Sequence, residues 1–374
     1  MISRRRFLVM TALGSAGVAF AGYTLNARNA RAEYETLVQR TWHHSKGDLS
    51  TDHARMLEFV RYATLAPSSH NTQCWKFRVG KDSIAIFPDF QRRCPVVDPD
   101  DHHLFVSLGC ATENLVQAAA ANGFQGKSVF NTHGDESVII ALKPTKPIVS
   151  PLFEAIPLRQ STRSEYDGRQ ISSTELKLLE KAGSGNGINV LLLTDRKAME
   201  KVIDFVIQGN TSQMRDQAFV KELKDWIRFN GSHAARTGDG LFSGSSGNPS
   251  VPTWLGKLMF DLFFTEEAEN DKYAKHIRSS AGIAVFISEQ DNKAHWVETG
   301  RSFQRFALQA TALGIRHAHL NQPVEVASIR PEFASFLGMK GKRPDLVVRF
   351  GRGPEMPRSL RRPLENVIFE QHKT

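Results

Sequence analysis

Cysteine is scarce in this chain of 374 residues. The three present, Cys74, Cys94 and Cys110, allow one disulfide at most and lack metal-site spacing, which excludes a disulfide scaffold. Low-complexity tracts are missing, as is the glycine fingerprint of a dinucleotide-binding fold. The glycine-rich stretches at 183–187 and 244–247 lack the Lys-Ser/Thr context of a phosphate loop and read as plain loops. Basic charge is less abundant than the net +9 suggests. Residues 1–32 hold Arg4, Arg5, Arg6, Arg28 and Arg31 and no acid, so the remainder carries +9 − 5 = +4. With no basic stripe interleaved with aromatics, a nucleic-acid partner is not expected.

What is present begins with an address. "SRRRFLVM" leads into an apolar run, Leu8 to Leu25, and then Ala30-Arg31-Ala32, the three regions of an export signal. Ser3-Arg4-Arg5-Arg6-Phe7-Leu8 fits the twin-arginine pattern. Glycines at 14, 17 and 22 weaken the run as a membrane span. The expectation is a signal peptide over 1–32, the twin-arginine export machinery as partner, and a periplasmic or cell-envelope location. The membrane is touched only through the signal. This route carries folded proteins, which suits a chain that takes a non-covalent cofactor before export.

A hydrophobic content of 41% supports a sizeable core. Within it, "GCATENLVQAAAANGF" (109–124) and "GRSFQRFALQATALGI" (300–315) align without gaps at an offset of 191. Each reads as a buried helix closed by a glycine. "ESVIIALKP", "SSAGIAVFIS" and "PDLVVRFGRG" read as strands. "SSTELKLLEKAG" reads as an amphipathic helix that Ser173 or Thr174 can cap. The organisation is α+β in two related halves, 33–150 and 151–374, joined by the Pro-rich "KPTKPIVSP" (143–151).

Two polar segments carry the chemistry. "LAPSSHNTQCWKF" (65–77) places Ser68, Ser69, Asn71, Thr72 and Gln73 beside an apolar run, and "LRQSTRSEYDGR" (158–169) supplies Arg159, Gln160, Ser161 and Arg163. Together they resemble the signature segments of the FMN-dependent nitroreductase family, which works as homodimers with flavin held between subunits. One subunit gives the Arg-Ser segment and the other the Pro-Ser segment. Here their order is inverted, and each half keeps one segment. The degraded counterparts are "VQRTWHHSK" before Pro67 and "EKAGSGNGINVLLL" after Arg163.

The resemblance implies a nitroreductase-like α+β fold: a mixed central sheet flanked by helices, with two halves mimicking the homodimer. It implies one FMN and a monomer able to complete its own site. Arg159 and Arg163 would fork the phosphate, with Gln160 and Ser161 beside them. Pro67, Ser68, Ser69 and Asn71 would face the ribityl chain and ring heteroatoms. His319, Leu320, Asn321 and Gln322 would approach the ring, and Arg361, with Arg362 or Arg358, would close the phosphate site.

Such an enzyme passes electrons through the flavin to a small electrophilic acceptor, with no catalytic side chain of its own. A flavin-sequestering protein with little turnover is the alternative, and an exported globular protein with a vestigial site is a third. Cys74 replaces the proline usual before the tryptophan; it relaxes a turn or presents a thiol to the flavin. Residues 238–264 are either a helix hairpin or a lid. Asp98, Asp100, Asp101, His102 and His103 are expected in a helix-entry loop, since neighbouring histidines point apart on regular elements. No metal is expected at any of these groups, nor at His43, His44, His317 or His319.

Overall fold

The computed structural model describes residues 31–369 apart from 46, 48 and 133. The twin-arginine segment up to residue 30 lies outside the described residues. Residues 31–41 are helical, so the expected signal boundary after Ala32 falls within helical residues.

Two four-stranded antiparallel sheets form the frame. The first contains β1 (Trp75–Val79), β2 (Ser83–Pro88), β3 (Phe124–Phe130) and β4 (Val138–Pro144), in the order β1-β2-β4-β3. The chain continues through β5 (Ile188–Leu193), a short parallel pair β6 (Ile227–Arg228) and β7 (Leu241–Phe242), then β8 (Gly282–Ser288), β9 (Arg316–His319) and β10 (Pro344–Gly351). The second sheet runs β5-β8-β10-β9, the same order, with a long helix likewise between its second and third strands. Residues 194–281 intervene between β5 and β8 with five helices and the β6–β7 pair.

The α+β expectation holds, and the three quoted strand segments form β4, β8 and β10. In place of one mixed sheet there are two antiparallel ones. Parallel pairing among the described residues is confined to β6–β7 and to single bridges, Phe77 with Ile368 and Ser161 with His317. The cap of the helix Ser173–Gly183 is Ser172, one residue before the expected pair. Its Oγ accepts from the Glu175 amide, and the Glu175 carboxylate accepts from the Ser172 amide.

The aligned segments form two long helices, His102–Ala121 and Lys293–Ala312, that pack on each other. Gly123 (φ 81°) and Gly314 (φ 68°) follow them in the left-handed conformation that glycine tolerates best. His102–Ala121 is long and apolar enough to span a membrane, but it is mostly buried inside the protein. Across the crossing, Asn114 Oδ1 accepts from Gln304 Nε2 at 2.7 Å, and Glu113 accepts from Arg301 and Arg305, each at 3.2 Å. One apolar core, from Met56 to Val367, joins both sheets through these helices. β8 turns Ala284 and Phe286 into that core and Ile283, Val285 and Ile287 into a second one under the inserted helices. Burial on both faces explains its unbroken apolar run.

Candidate functional site

The two polar segments meet. One pocket is lined by Pro67, Ser68 and Asn71 from the first segment and by Arg159, Gln160, Ser161 and Arg163 from the second. The strand-like approach of Ser161 to His317 fixes the second segment against the edge of β9. Arg358, Ser359 and Arg361 come from the chain after β10, Trp42 from the end of the 31–41 helix, and Leu241 and Ser245 from the insertion. The cavity itself is about 60 Å³, room for a small anion rather than for a large ring.

Its charge is one-sided. Arg159 Nη2 donates to the Leu65 carbonyl (3.0 Å). Arg361 donates to the carbonyls of Thr64, Leu65 and Ala66 and to Asn71 Oδ1 (2.9 Å). Arg358 holds the carbonyls of Pro157 and Leu158. None of these three, nor Arg163, has a carboxylate within ion-pair distance among the described residues. Glu355 acts on Arg358 from further away, but its own partner is Arg316.

The Trp42 indole stands among three of the guanidiniums, at 6.0 Å from Arg159, 5.1 Å from Arg358 and 4.7 Å from Arg361. Burial lowers the pKa of Arg159 to about 10 and that of Arg361 well below its ordinary value, and the neighbouring arginines push both the same way. A guanidinium keeps its proton in a protein, so these shifts measure charge left without an opposite partner. Arg159 Nε is also buried without a hydrogen-bond partner.

Unpartnered imidazoles surround the same place. His317 is fully buried with neither ring nitrogen bonded, His319 Nδ1 has no partner, and His70 Nε2 has none. Burial lowers His319 to about 3 and His70 to about 4, with Arg163 adding to both. All three are neutral in the fold.

Several expected residues lie outside the pocket lining. Ser69 sits in a single helical turn beside it. Leu320 belongs to the core under the inserted helices, and Gln322 packs against Gly209. Asn321 Oδ1 accepts from the Val347 amide, and His319 lies against Phe303 with ring centroids 4.7 Å apart. Arg362 turns away, donating to the Asn366 carbonyl (2.8 Å) with Asp89 at 3.9 Å.

Asn71 is not free to meet a ligand with its whole amide, because Nδ2 donates to the Gly240 and Leu360 carbonyls. Trp42 was not among the expected site residues. It belongs to "VQRTWHHSK", expected only as a degraded counterpart of the arginine segment, yet it lines this pocket. Cys74 is buried, and its thiol pKa is pushed up to about 12 by that burial, so it is no thiolate nucleophile. In residues 238–264, Leu241 and Ser245 form a wall, tied down where Gln73 Nε2 donates to the Gly238 carbonyl (2.8 Å).

The histidines at 102 and 103 do not splay as expected. Their ring centroids are 4.8 Å apart, and with Asp98 they bring three ligand-type atoms within 4.8 Å of one another. Each is already engaged. Asp98 caps the helix through the His103 and Leu104 amides, and His102 Nε2 bonds Asp345 at 2.9 Å.

An α+β frame of two antiparallel sheets, with a half-buried cationic pocket beside β9, is thus the setting. No family model matches the chain. It is related to nitroreductases by sequence. A protein of Mycobacterium tuberculosis named "Putative NAD(P)H nitroreductase" is 26% identical over 317 residues, covering 82% of this chain and 88% of its own length. Another from that organism, "Putative NAD(P)H nitroreductase acg", is 20% identical, covering 84% and 95%. Among solved structures, a protein of Anabaena variabilis described as a "putative nitroreductase" aligns over 85% of this chain and 91% of its own, at 10% identity and a TM-score of 0.46.

Proposed function

We propose that the chain is an FMN-dependent oxidoreductase of nitroreductase type that holds one flavin per chain. The observation that carries this reading is the group of four guanidiniums that line one pocket, Arg159 buried and Arg163, Arg358 and Arg361 half-buried, with no acid in ion-pair reach among the described residues; Arg159, Arg358 and Arg361 donate only to backbone carbonyls and an amide oxygen. Such a group favours a dianionic phosphate, which planar forks can grip bidentately. The pocket fits the phosphate end of the cofactor as it stands. The unpartnered nitrogens of the neutral His317 and His319 rings supply polar atoms for the remainder. When bound, the flavin would accept and pass on electrons, and the protein's part is to bind, orient and seal it. A small electrophilic molecule is the proposed acceptor.

The identical strand order of the two sheets, and the crossing of equivalent helices, support the fused-dimer reading in which one chain completes its own site. Acid release of the bound chromophore and chromatography test the cofactor; FAD, or no flavin, defeats the reading. Mass analysis of the native protein tests the stoichiometry, since two flavins per chain or one shared by a dimer would return the repeat to coincidence.

The wall that Leu241 and Ser245 form beside the arginines favours a second reading, a sequestering protein with a covered flavin and little turnover. Anaerobic titration with NADH and NADPH separates the two, because rapid bleaching of the flavin identifies the enzyme. Export by the twin-arginine route remains part of the proposal. Replacing Arg4 and Arg5 by lysine is expected to keep the protein in the cytoplasmic fraction.

A further inference from the structure

We propose that His70, Cys94 and Glu222 form a binding site for one divalent metal ion of borderline softness, of the Zn2+ class. One nitrogen, one sulfur and one carboxylate oxygen from these residues lie within 4.8 Å of one another. Tetrahedral zinc with nitrogen and sulfur ligands spaces its donors about 3.4–3.8 Å apart, so the three are within a small side-chain adjustment of that geometry. They come from three separate elements: the turn Ser69–Asn71, the loop after the turn Phe90–Arg92, and the inserted helix Gln217–Trp226.

Each donor lacks a competing partner of the right kind. His70 Nε2 is buried and makes no hydrogen bond, although its residue sits at φ 47°, a conformation disfavoured for an ordinary side chain. Cys94 is buried and free of any disulfide. Glu222 accepts from the Val96 and Val97 amides at 3.0 and 3.1 Å, which aim the carboxylate but leave its charge without a basic side chain among the described residues. The charges of Asp98 and Glu325 also bear on the Cys94 thiol, while Arg163 and His103 act on His70. Both Glu222 contacts are to backbone amides, and no described residue takes up His70 Nε2. This distinguishes the trio from the group Asp98, His102 and His103, whose members already serve a helix cap and a buried His–Asp pair.

The donor set points to the metal class. A thiolate with an imidazole suits zinc or its cobalt surrogate, whereas magnesium and calcium favour all-oxygen shells. Three protein ligands leave a fourth position open. Binding would release the thiol proton to solvent, so uptake should strengthen as pH rises.

The test uses the purified full chain, stripped with a chelator and titrated with Co2+. The metal-free protein serves as spectral reference, so any flavin absorption cancels. A saturable near-ultraviolet thiolate-to-cobalt band, complete at about one equivalent and displaced by Zn2+, is the expected result. It should vanish in Cys94→Ser and persist in Cys74→Ser, and Glu222→Gln should weaken Zn2+ binding at least about tenfold. Zn2+ should raise the melting temperature of wild type and Cys74→Ser but not of Cys94→Ser. Lack of the thiolate band in the wild-type protein overturns the proposal even if a variant fails to fold, as does its survival in Cys94→Ser. Flavin content, measured on the same samples, does not enter these outcomes.

Discussion

Gly109 and Gly300 lie at equivalent places on the two long helices, each against the backbone of the helix that carries the other. A β-carbon at Gly109 would stand 1.9 Å from the Val297 carbonyl oxygen, and one at Gly300 would stand 1.9 Å from that of Val106. Val106 and Val297 are themselves 191 residues apart, the offset of the repeat. No side chain can move to relieve either contact, because both obstacles are main chain.

Gly109→Ala and Gly300→Ala are therefore each expected to destabilise the protein by about 3 kcal/mol, near the top of the overpacking range. The two costs should be similar. The double variant should cost less than their sum, since one separation of the helices relieves both clashes. Urea denaturation of the three variants measures this; an unaffected Gly300→Ala would refute the close crossing.

Removing Arg159 should have opposite effects on the two states of the pocket. Arg159→Ala is expected to weaken flavin binding by about 1.5–3 kcal/mol, the worth of a hydrogen bond to a charged group, and Arg163→Ala by a similar amount. In flavin-free protein the same Arg159 change takes away a buried cation repelled by Arg358 and Arg361. Its melting temperature should hold or rise. Calorimetric titration and thermal unfolding give the two readings, and a parallel loss in both would mean that Arg159 is structural.

Asn71 belongs to the first half of the chain, yet its Oδ1 accepts from Arg361 near the end. Asn71→Ala should therefore weaken flavin binding through Arg361, and a cycle with Arg361→Ala should give a coupling of about 0.5–3 kcal/mol. Additive losses would instead make Asn71 a direct ligand. A second cycle with Arg163→Ala should report on the same single flavin.

Acid should weaken the flavin-free fold earlier than carboxylates alone would. Burial lowers the pKa of His70, His102, His103, His233, His276, His317 and His319. An unfolded chain protonates these rings near 6.5 and the fold does not, so the unfolded state binds more protons as pH falls below that value. Asp98, raised to about 6, and Asp345, raised to about 7, oppose the trend, as do Asp101 and Glu325. The imidazoles outnumber them. Stability should drop between pH 6.5 and pH 4.5 by at least about 1.4 kcal/mol per unit, the slope of one net proton. Urea midpoints at pH 7, 6 and 5 that rise toward acid would contradict this balance.

The pocket's arginine and Pro-Ser residues were legible because short polar motifs keep their residue types wherever the chain goes. The helices and strands were legible from periodicity. Trp42, Leu241 and Ser245 were not, because an aromatic at a helix end and a leucine in a glycine-rich loop carry no local mark of what they will face. Asn71 was misread in part for a related reason. Its residue type fits both a ligand and a clamp, and only the folded chain brings the Gly240 and Leu360 carbonyls to it. The His102–His103 pair departed from expectation because both rings are buried, with His102 held by Asp345 from β10, a partner 243 residues away that local spacing cannot reveal.

The residues around Ile368 run alongside β1, with the Phe77 amide donating to the Val367 carbonyl and the Phe369 amide to the Phe77 carbonyl. Arg358 and Arg361 lie just upstream of this junction. A ribosome makes Phe77 and Pro67 well before these partners. The first sheet thus waits with an unfinished edge, and the pocket with half its cations, until residues 358–369 have been made. Completing the edge strand and completing the pocket are therefore consecutive events on one stretch of chain.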